Sequence, residues 1–385
     1  MKITFVFDGL QYGGIERVGI EYIKLLNEKG YEIQVINLNP ELNSIEKEIP
    51  PRINILHIKF SQFLVVERHS ELKKRGFLKS IAVKIVRGLM ITVNSFYSLF
   101  YLKRIPNTDV AIAFSGHFND LMFVAKNFKG TKKIAWLHGS QYSYLKISPG
   151  FLELYGKIKN LVCLSCKDDD KILDFNQKYH IKKIKIYNPI NLKDKIVDRD
   201  KVAQLKNNYG KFILMVGRLD EDKDQETLIR AVGKLHSKYG MKNKLVLVGD
   251  GVEKNKLQQL TKDLNLYDSV IFEGLKTDVQ NYYVAAAVYA HSSPAEGLPT
   301  VLLEAMYYSC PIVSTNSEPG TKEILKDNCG LISPVKDVNA LADNIYKMYS
   351  DENCRYACIF AGEKRIKEFM PDRVISQFEI FLKQL

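Results

Sequence analysis

The stretch HSSPAEGLPTVLLEAMYYSCPIVST at 291–315 decides the fold of the chain around it. Pro294 and Pro299 interrupt an apolar, strand-like run, and apolar residues at helical spacing follow from Thr300 onward. Because proline is favoured at the first positions of a helix, this pattern predicts a helix that begins near Pro299. The N-terminus of such a helix carries unpaired N–H groups and a partial positive charge, which can hold a phosphate at the carboxyl end of a parallel strand.

Two glutamates flank the start of this predicted helix. Glu296 lies just before it and Glu304 lies just inside it, with seven residues between them. A carboxylate in the loop can accept hydrogen bonds from sugar hydroxyls, and a carboxylate one turn into the helix can reach a ribose. Two glutamates at this spacing are also compatible with solvated charges at a helix end, so their context decides what they do.

A pair of cations follows another predicted strand in VGRLDEDKDQETLI at 216–229. Gly217-Arg218 ends that strand and Lys223 comes five residues later, where the two side chains can clamp a diphosphate. Acidic residues between them argue against a general basic patch, and ordinary surface cations are the alternative. At the chain start, Gly13-Gly14 closes the loop into the first predicted helix, where glycines either let the backbone approach an anion or make a tight turn.

Short apolar runs alternate with helical patterns along the whole chain. This alternation is typical of parallel, doubly wound sheets, and it predicts an α/β protein with two successive Rossmann-like domains. The polar stretch from Asn188-Pro189 to Gly210 lacks apolar periodicity, which predicts a linker between the domains. The predicted strands are residues 3–7, 31–38, 110–115, 133–138 and 161–165 in the first half, and residues 212–217, 244–249, 269–274, 288–293 and 311–316 in the second.

The composition is that of a soluble globular protein, with 46% apolar and 26% charged residues among 385. The formal net charge of +12 lies entirely in residues 1–200, which hold 32 Lys and Arg against 20 Asp and Glu, whereas residues 201–385 hold 24 of each. A basic half faces a polyanion, but recognised stacking platforms for nucleic acid are absent from the sequence. The N-terminal MKITFVFDGL lacks the long apolar region of a secretion signal, so we expect a cytoplasmic protein.

Two patterns are similar to metal or redox motifs and are interpreted as structural. Cys163 and Cys166 form a C-x-x-C inside an apolar strand, without the second ligand pair that zinc needs. Asp168-Asp169-Asp170 follows Ser165 at a predicted helix start, where acidic residues interact favourably with the helix dipole. We therefore expect no metal ion and no other cofactor.

Five motifs together resemble those of the retaining GT-B nucleotide-sugar glycosyltransferases of glycosyltransferase family 4, the group 1 glycosyl transferases. They fall in the family's order over nearly the whole chain, and the E-x(7)-E element with the Gly-Arg…Lys pair is the most specific of them. The segment 315–325 departs from the family, because TNSEPGTKEIL replaces the common double-glycine loop before Glu323. The five motifs are GGIER at 13–17, WLHGS at 136–140, VGRLDEDK at 216–223, LVGDG at 247–251 and EGLPTVLLEAM at 296–306.

The resemblance implies a GT-B fold, in which two Rossmann-like domains face each other across a cleft. An acceptor-binding domain is expected over 1–190 and a nucleotide-sugar-binding domain over 191–371, with a C-terminal helix at about 372–385 that packs back onto the first domain. Glu296 is expected to contact the transferred sugar, and His138 to lie over that sugar near the reacting carbon unless it is a structural histidine. The implied donor-binding residues are Gly14, Arg218, Lys223, Leu298, Pro299, Thr300 and Glu304.

The resulting prediction is a retaining, metal-independent hexosyltransferase. It moves a hexose or N-acetylhexosamine from a nucleoside diphosphate sugar, with UDP as the commonest nucleotide of the family, to a lipid-linked or saccharide acceptor in bacterial surface glycan assembly. Two alternatives stay open: a GT-B-fold nucleotide-sugar epimerase, and a non-catalytic basic protein that binds polyanions. The sequence does not specify the sugar, the linkage or the oligomeric state.

Residues 59–104 predict peripheral binding to the cytoplasmic face of an anionic membrane. The stretch holds ten Lys and Arg against two acidic residues, Glu67 and Glu71. The uncharged run from Gly88 to Leu102 is shorter than the ~20 residues of a spanning helix, so we expect an interfacial helix beside a basic cluster. A buried helix of the first domain is the alternative.

Overall fold

The computed structural model describes two compact units. Unit 1 comprises Met1–Pro189 and Val374–Leu385, and unit 2 comprises Ile190–Arg373. None of the helices within the described part of the chain combines the length and apolar character needed to cross a membrane. The basic segment 59–104 lies outside the described residues, apart from Lys59, and so does the aspartate run at 168–170. The structure describes residues 1–59, 105, 107–139, 150–164, 176–193 and 195–385.

Unit 1 is built on a seven-stranded sheet in which neighbouring strands run parallel. Its elements are β1 (Lys2–Phe7), α1 (Gly14–Glu28), β2 (Glu32–Asn37), β3 (Asn54–His57), β4 (Val110–Ala113), α2 (Phe118–Asn127), β5 (Lys132–Leu137), α3 (Gly150–Ile158), β6 (Asn160–Cys163) and β7 (Lys182–Lys185). The strand order is β3-β2-β1-β4-β5-β6-β7, so the direction of the order reverses between β1 and β4. In open α/β sheets, ligands bind outside the carboxyl ends of the strands at such a reversal.

An aromatic cluster fills the centre of unit 1. The ring of Trp136 on β5 lies 4.8 Å from the ring of Phe114, which follows β4, and 4.7 Å from the ring of Tyr22 on α1. Phe378, in the C-terminal helix, lies 5.5 Å from Trp136 and brings that helix into the same core. Such ring pairs contribute roughly 0.5–1.5 kcal/mol beyond the area they bury, so the cluster fixes β4 and β5, the strands that lead into the candidate site.

Unit 2 is built on a second parallel sheet, of six strands, with a small two-stranded sheet beside it. Its strands are β8 (Ile213–Val216), β9 (Leu245–Val248), β10 (Val270–Gly274), β11 (Val288–His291), β12 (Ala295–Glu296), β13 (Ile312–Thr315), β14 (Glu318–Pro319) and β15 (Leu331–Ser333). The order in the larger sheet is β10-β9-β8-β11-β13-β15, which reverses between β8 and β11, while β12 pairs with β14. This second parallel sheet confirms the predicted α/β fold with two Rossmann-like domains.

Helices connect the strands of unit 2, and one of them leads back into unit 1. They are α4 (Arg199–Tyr209), α5 (Gln225–Tyr239), α6 (Lys254–Asp263), α7 (Val279–Ala285), α8 (Thr300–Tyr307), α9 (Gly320–Ile324), α10 (Val338–Ser350), α11 (Glu352–Arg365) and α12 (Pro371–Gln384). The helix predicted near Pro299 begins at Thr300, with Pro299 as its N-cap.

The stretch predicted as a linker contains a helix that the sequence analysis missed. Asp198 caps α4, because its carboxylate accepts hydrogen bonds from the N–H groups of Asp200 and Lys201. Only Val202 and Leu205 of this helix are buried, so its apolar face is too narrow to give a visible period. The capping aspartate was the signal that could have found it.

Candidate active site

The reversal of strand order in unit 2 brings Lys223 and Glu296 into contact. Lys223 Nζ donates a hydrogen bond to Glu296 Oε1 at 2.5 Å, although 73 residues separate the two in sequence. Both side chains are largely buried, with 23% of the lysine and 15% of the glutamate exposed. Water therefore screens this pair much less than an ion pair on the surface.

Polar contacts fix the backbone that carries Lys223. The residue ends a short 3-10 turn, Glu221–Lys223, in the loop after β8. Ser292 Oγ, from the loop after β11, donates to the Lys223 carbonyl oxygen at 3.0 Å. Gln225 Nε2 donates to the Arg218 carbonyl oxygen at 2.7 Å, which closes the loop from inside. The backbone is thus held in place, while the four-carbon stem of Lys223 leaves its ammonium group able to change partner.

The loop that carries Glu296 is held from its other side. A Cβ atom on Gly320 would lie 2.6 Å from Pro299 Cδ and 2.9 Å from the Glu296 carbonyl oxygen, so the close approach of α9 to this loop requires a glycine. Thr315 Oγ1 donates to the Ser293 carbonyl oxygen at 2.7 Å. Together with the pairing of β12 and β14, these contacts fix the direction of the Glu296 side chain.

Glu296 is ionised in this arrangement. Burial opposes the charge, but contacts with His291 and Lys223 outweigh burial and lower the pKa of Glu296 to about 2. His291 Nε2 lies 3.4 Å from the same carboxylate oxygen that Lys223 contacts, and 1% of the histidine side chain is exposed. His291 was not among the site residues predicted from the sequence. It ends β11 and thus lies at the carboxyl edge of the sheet, where ligands bind in such folds.

The other donor-site residues predicted in unit 2 lie on these two loops. Arg218 is 74% exposed, and its Nη2 lies 3.1 Å from Asp220 Oδ2. Leu298 is buried. Pro299, the N-cap of α8, makes no side-chain capping hydrogen bond to the first turn, which begins with Thr300. An anion can occupy that position.

Glu304 lies farther along α8 and is half-buried. Burial and the charge of Glu304 raise the pKa values of Tyr283 and Tyr289, two buried tyrosines whose rings lie 5.4 Å apart. The charge of the half-buried Glu304 therefore acts on buried groups beside α8.

In unit 1, His138 directly follows β5. Its Nε2 lies 2.7 Å from the Phe114 carbonyl oxygen, so this nitrogen carries the hydrogen and Nδ1 is left as an acceptor. Burial, together with the charge of His117, lowers the pKa of His138 to about 4 despite that hydrogen bond. His138 is therefore neutral near pH 7 and offers a lone pair on Nδ1.

The predicted anion site at the start of α1 is partly covered. Gly13 is the N-cap and Gly14 the first residue of the helix. A Cβ atom on Gly13 would lie 2.2 Å from Glu16 Oε2, whereas a Cβ atom on Gly14 would meet nothing within 4 Å. Glu16 is buried, and burial raises its pKa. An approaching ligand thus meets open space at Gly14 and a carboxyl group beside Gly13.

In unit 1, a polar cluster that was not predicted from the sequence lies where the strand order reverses, after β1 and β4. His117 Nδ1 lies 3.3 Å from Asp8 Oδ2, and Asn119 Nδ2 donates to Asp8 Oδ1 at 2.9 Å. Asp120 Oδ2 accepts a hydrogen bond from the Gly116 N–H at 2.9 Å. Asp8 directly follows β1, His117 ends the loop after β4, and Asn119 and Asp120 lie in the first turn of α2; their place after these two strands was the signal that could have found them.

The charges of this cluster are strongly coupled. Asp120 is completely buried, and burial raises its pKa to about 8, even though the charge of His117 acts in the opposite direction. Burial opposes protonation of His117, but Asp8, Asp120 and Glu16 outweigh it and raise the pKa of His117 to about 9. A protonated histidine is therefore held among carboxyl groups near pH 7.

No metal site was predicted at two sequence patterns, the C-x-x-C pair and the aspartate run at 168–170. Of the C-x-x-C pair, Cys163 is buried and its Sγ lies 3.3 Å from the Ile184 carbonyl oxygen, while Cys166 lies outside the described residues. Across the described ranges, no three His, Cys, Asp or Glu side chains are grouped so that they could hold a metal ion.

Glycosyltransferases recur among the proteins that this chain is similar to. Residues 197–365 match the family described as glycosyl transferases group 1. An uncharacterized glycosyltransferase of Haemophilus influenzae is 27% identical over 369 residues, which cover 93% of this chain and 95% of that protein. These relatives support a glycosyltransferase role.

A second relative carries a more specific name. The N-acetylgalactosamine-N,N'-diacetylbacillosaminyl-diphospho-undecaprenol 4-alpha-N-acetylgalactosaminyltransferase of Campylobacter jejuni is 29% identical over 382 residues, covering 96% of this chain and 95% of its own. Among solved structures, HepE of Anabaena in complex with UDP matches with a TM-score of 0.73 at 17% identity, and each chain is covered completely. The structural neighbours have the GT-B fold, as the sequence analysis predicted.

The coupled cluster of unit 1 predicts a pH-dependent stability. The pKa of Asp120 is raised on folding, so the folded state gives up its proton at higher pH and loses stability as the pH rises from about 4 to 8. The contribution of His117 is complete below its unfolded pKa of 6.5 and is lost as the pH rises to about 9. We expect the free energy of unfolding to fall between pH 6.5 and 8, and Asp120→Asn to flatten this fall.

Urea unfolding monitored by fluorescence measures this effect, because the single tryptophan of the chain, Trp136, lies in the core of unit 1. Asp109→Asn, at an exposed position of the same unit, is the control and should leave the pH dependence unchanged. An equal slope in Asp120→Asn and the wild type would contradict the proposed coupling.

Proposed function

We propose that this chain, whose residues 197–365 match the glycosyl transferases group 1 family, is a retaining, metal-independent glycosyltransferase. Its donor is a nucleoside diphosphate sugar, with UDP as the first choice of nucleotide, and it transfers a hexose or an N-acetylhexosamine to a lipid-linked or saccharide acceptor. The observation that carries the proposal is the largely buried Lys223–Glu296 pair at the strand-order reversal of unit 2. Immediately beyond it in the chain is the uncapped first turn of α8.

The proposed site stabilises the leaving group electrostatically. When the sugar leaves, negative charge develops on the diphosphate, and charge-assisted hydrogen bonds to such oxygens are among the strongest that proteins form. Arg218 and Lys223 supply two cations, and the backbone N–H groups of Leu298 and Thr300, on either side of Pro299, supply the partial positive charge of a helix terminus. These groups do the work of a divalent ion in this proposal.

Glu296 acts on the sugar in the proposed reaction. Its low pKa keeps it ionised, so its charge can stabilise the positive character that the anomeric carbon gains as the bond to phosphate breaks. This role needs no covalent bond between Glu296 and the sugar. Glu304, farther along α8, accepts hydrogen bonds from the ribose hydroxyls.

Unit 1 contributes His138 and Gly14, and it binds the acceptor. Neutral His138 has Nδ1 available to accept a hydrogen bond from a hydroxyl of the donor sugar. Gly14 offers its open side to a donor phosphate. The carboxylates and the imidazole at the reversal of β1 and β4 are groups that bind hydroxyl-rich acceptors.

The names of the relatives support the finer substrate assignment. The Campylobacter jejuni relative is named for transfer of N-acetylgalactosamine to an undecaprenol-linked diphosphate glycan, and the Anabaena HepE structure contains UDP. By analogy, we propose a lipid-linked glycan acceptor of a bacterial surface polysaccharide.

A nucleotide-sugar panel tests the proposed function. The pure protein, incubated in EDTA with labelled UDP-, GDP- and ADP-sugars and with undecaprenol-linked acceptors, should release nucleoside diphosphate and label the acceptor with retained configuration. Turnover of the donor without an acceptor, giving an isomeric nucleotide sugar, would instead indicate an epimerase. Binding of polyanions without any turnover would indicate the non-catalytic alternative, and activity restored only by magnesium would contradict metal independence.

Substitution of Glu296 separates donor binding from chemistry. Lys223 is held by Glu296 in the structure, so Glu296→Gln should free Lys223 and leave nucleoside diphosphate affinity unchanged or up to about tenfold tighter. The same variant should lower kcat by about a hundredfold or more, because the lost charge acts mainly in the transition state.

Lys223→Ala and Arg218→Ala should each weaken diphosphate binding by about tenfold or more, since each removes a charge-assisted contact.

Calorimetric titration with nucleoside diphosphate and steady-state kinetics check these outcomes. Lys238→Ala is the matched control, because this exposed lysine is paired with Asp343 on the outer face of unit 2. Unchanged affinity in both cation variants would contradict the clamp. A Glu296→Gln enzyme in which only the Michaelis constant rises would make Glu296 a binding residue.

We also propose that residues 59–104 dock the enzyme on the cytoplasmic face of an anionic membrane, on the strength of their ten basic side chains. Co-sedimentation with vesicles should require anionic lipid, weaken with salt, and fall by about tenfold or more when Lys73, Lys74, Arg75 and Lys79 become Glu. A matched control reverses four exposed lysines of unit 2, namely Lys206, Lys211, Lys242 and Lys262. Equal binding to neutral vesicles would contradict docking by charge.

A further inference from the structure

His291 is a buried histidine that the proposed mechanism does not yet use. It is the last residue of β11, and 1% of its side chain is exposed. Its Nε2 lies 3.4 Å from Glu296 Oε1, an ion-pair distance, and neither ring nitrogen makes a hydrogen bond within the described residues. A buried polar atom without a partner costs about 1–3 kcal/mol, so a histidine kept in this setting needs an explanation.

The ring of His291 is held on a rigid element. The residue is paired with Ser314 across the parallel sheet, between two central strands. Its ring stacks on that of Tyr289, two positions back on the same face, with 6.4 Å between the centroids and 19° between the planes. A carboxylate only accepts hydrogen bonds. His291 and Glu296 therefore attract each other when Nε2, the ring nitrogen that faces Glu296, carries the hydrogen. The sheet therefore holds the ring of His291 in place with Nε2 facing Glu296, 3.4 Å from its carboxylate oxygen.

Lys223 differs from His291 in this respect. Both contact the same oxygen of Glu296, but Lys223 reaches it from a loop on a long, flexible stem. In the proposed function the Lys223 ammonium group binds the donor diphosphate. An ammonium group that turns toward phosphate oxygens weakens its contact with Glu296, and a largely buried carboxylate without a partner is strongly disfavoured.

We propose that His291 is a positioning residue that holds the Glu296 carboxylate against the donor sugar after Lys223 has moved to the diphosphate. The proposal rests on the proposed function, because it needs a donor that competes for Lys223. It goes beyond that function in assigning a role to a residue that touches neither the phosphate nor the sugar. Both partners contact Glu296 in the structure, and in the proposed donor complex His291 holds it alone.

Two substitutions distinguish the two ring nitrogens. The amide nitrogen of Gln reaches the place of Nε2, whereas the amide nitrogen of Asn reaches only that of Nδ1. We expect His291→Asn to lower kcat at saturating donor by about tenfold or more and His291→Gln to recover most of that loss. Nucleoside diphosphate dissociation constants should stay within about twofold of wild type in both variants, since His291 does not touch the phosphates. His236→Asn, on α5 of the same unit, is the matched control and should keep wild-type kcat.

A double substitution tests whether His291 acts through Glu296. In the Glu296→Gln background, His291→Asn should lower kcat by less than about twofold further, because the group that it positions is already altered. If His291→Asn does not fold, His291→Ala replaces it, and added imidazole should restore kcat whereas toluene, which has no nitrogen, should not.

The outcomes separate the two proposals. An active wild-type enzyme in which the Asn and Gln variants lose kcat equally, or keep it fully, overturns the role of His291 alone. Full additivity with Glu296→Gln also overturns it, as does a loss confined to diphosphate affinity. A wild-type protein that neither binds nucleoside diphosphate nor transfers any sugar overturns the proposed function, and the role of His291 with it.

Discussion

The reversal of strand order between β8 and β11 is the constraint on which the candidate site of unit 2 depends. Because the strands are parallel, both end at the same edge of the sheet, and the loops that follow them meet there. One loop carries Lys223 and the other carries Glu296, so two residues 73 positions apart form a hydrogen bond of 2.5 Å. The bond from Ser292 to the Lys223 carbonyl oxygen ties the loops together, and the packing of Gly320 against the Glu296 loop fixes it from the far side. The ion pair is therefore a product of topology, and neither loop would form it alone.

The same constraint operates in unit 1 with a different set of charges. There the reversal lies between β1 and β4, and the groups at the carboxyl ends are the carboxylate of Asp8, the protonated imidazole of His117 and the buried carboxyl group of Asp120. His138, directly after the adjacent strand, adds a neutral imidazole whose Nδ1 is an acceptor. Cations and an open helix terminus in unit 2 suit an anion, whereas carboxylates and imidazoles in unit 1 suit hydroxyl groups. This difference agrees with the proposed division between a domain that binds a nucleotide sugar and a domain that binds an acceptor.

Local sequence patterns were sufficient for the α/β class and for ten of the fifteen described strands, and pairing between distant segments was beyond them. Ten strands and the helix after Pro299 were predictable, because apolar runs and a proline at a helix start are properties of neighbouring residues. The helix α4 was missed because it buries only Val202 and Leu205, and its capping Asp198 was the one local signal. The sequence placed Lys223 and Glu296 in two separate motifs, and their direct contact depends on which strands lie side by side. His291 was missed for the same reason, since a histidine inside an apolar strand acquires a meaning only from the carboxylate that another segment places beside it.

The contact between Lys223 and Glu296 has a consequence for the binding of an anionic ligand. A cation and a carboxylate are each costly to bury without a partner. In this pair each charge neutralises the other. The ligand must then compete with this internal pair, so part of its gross binding free energy is spent on separating two charges. Separation is tolerable only if each charge finds a new partner. A diphosphate provides one for Lys223, and His291, fixed in the sheet 3.4 Å from Glu296, already provides the other.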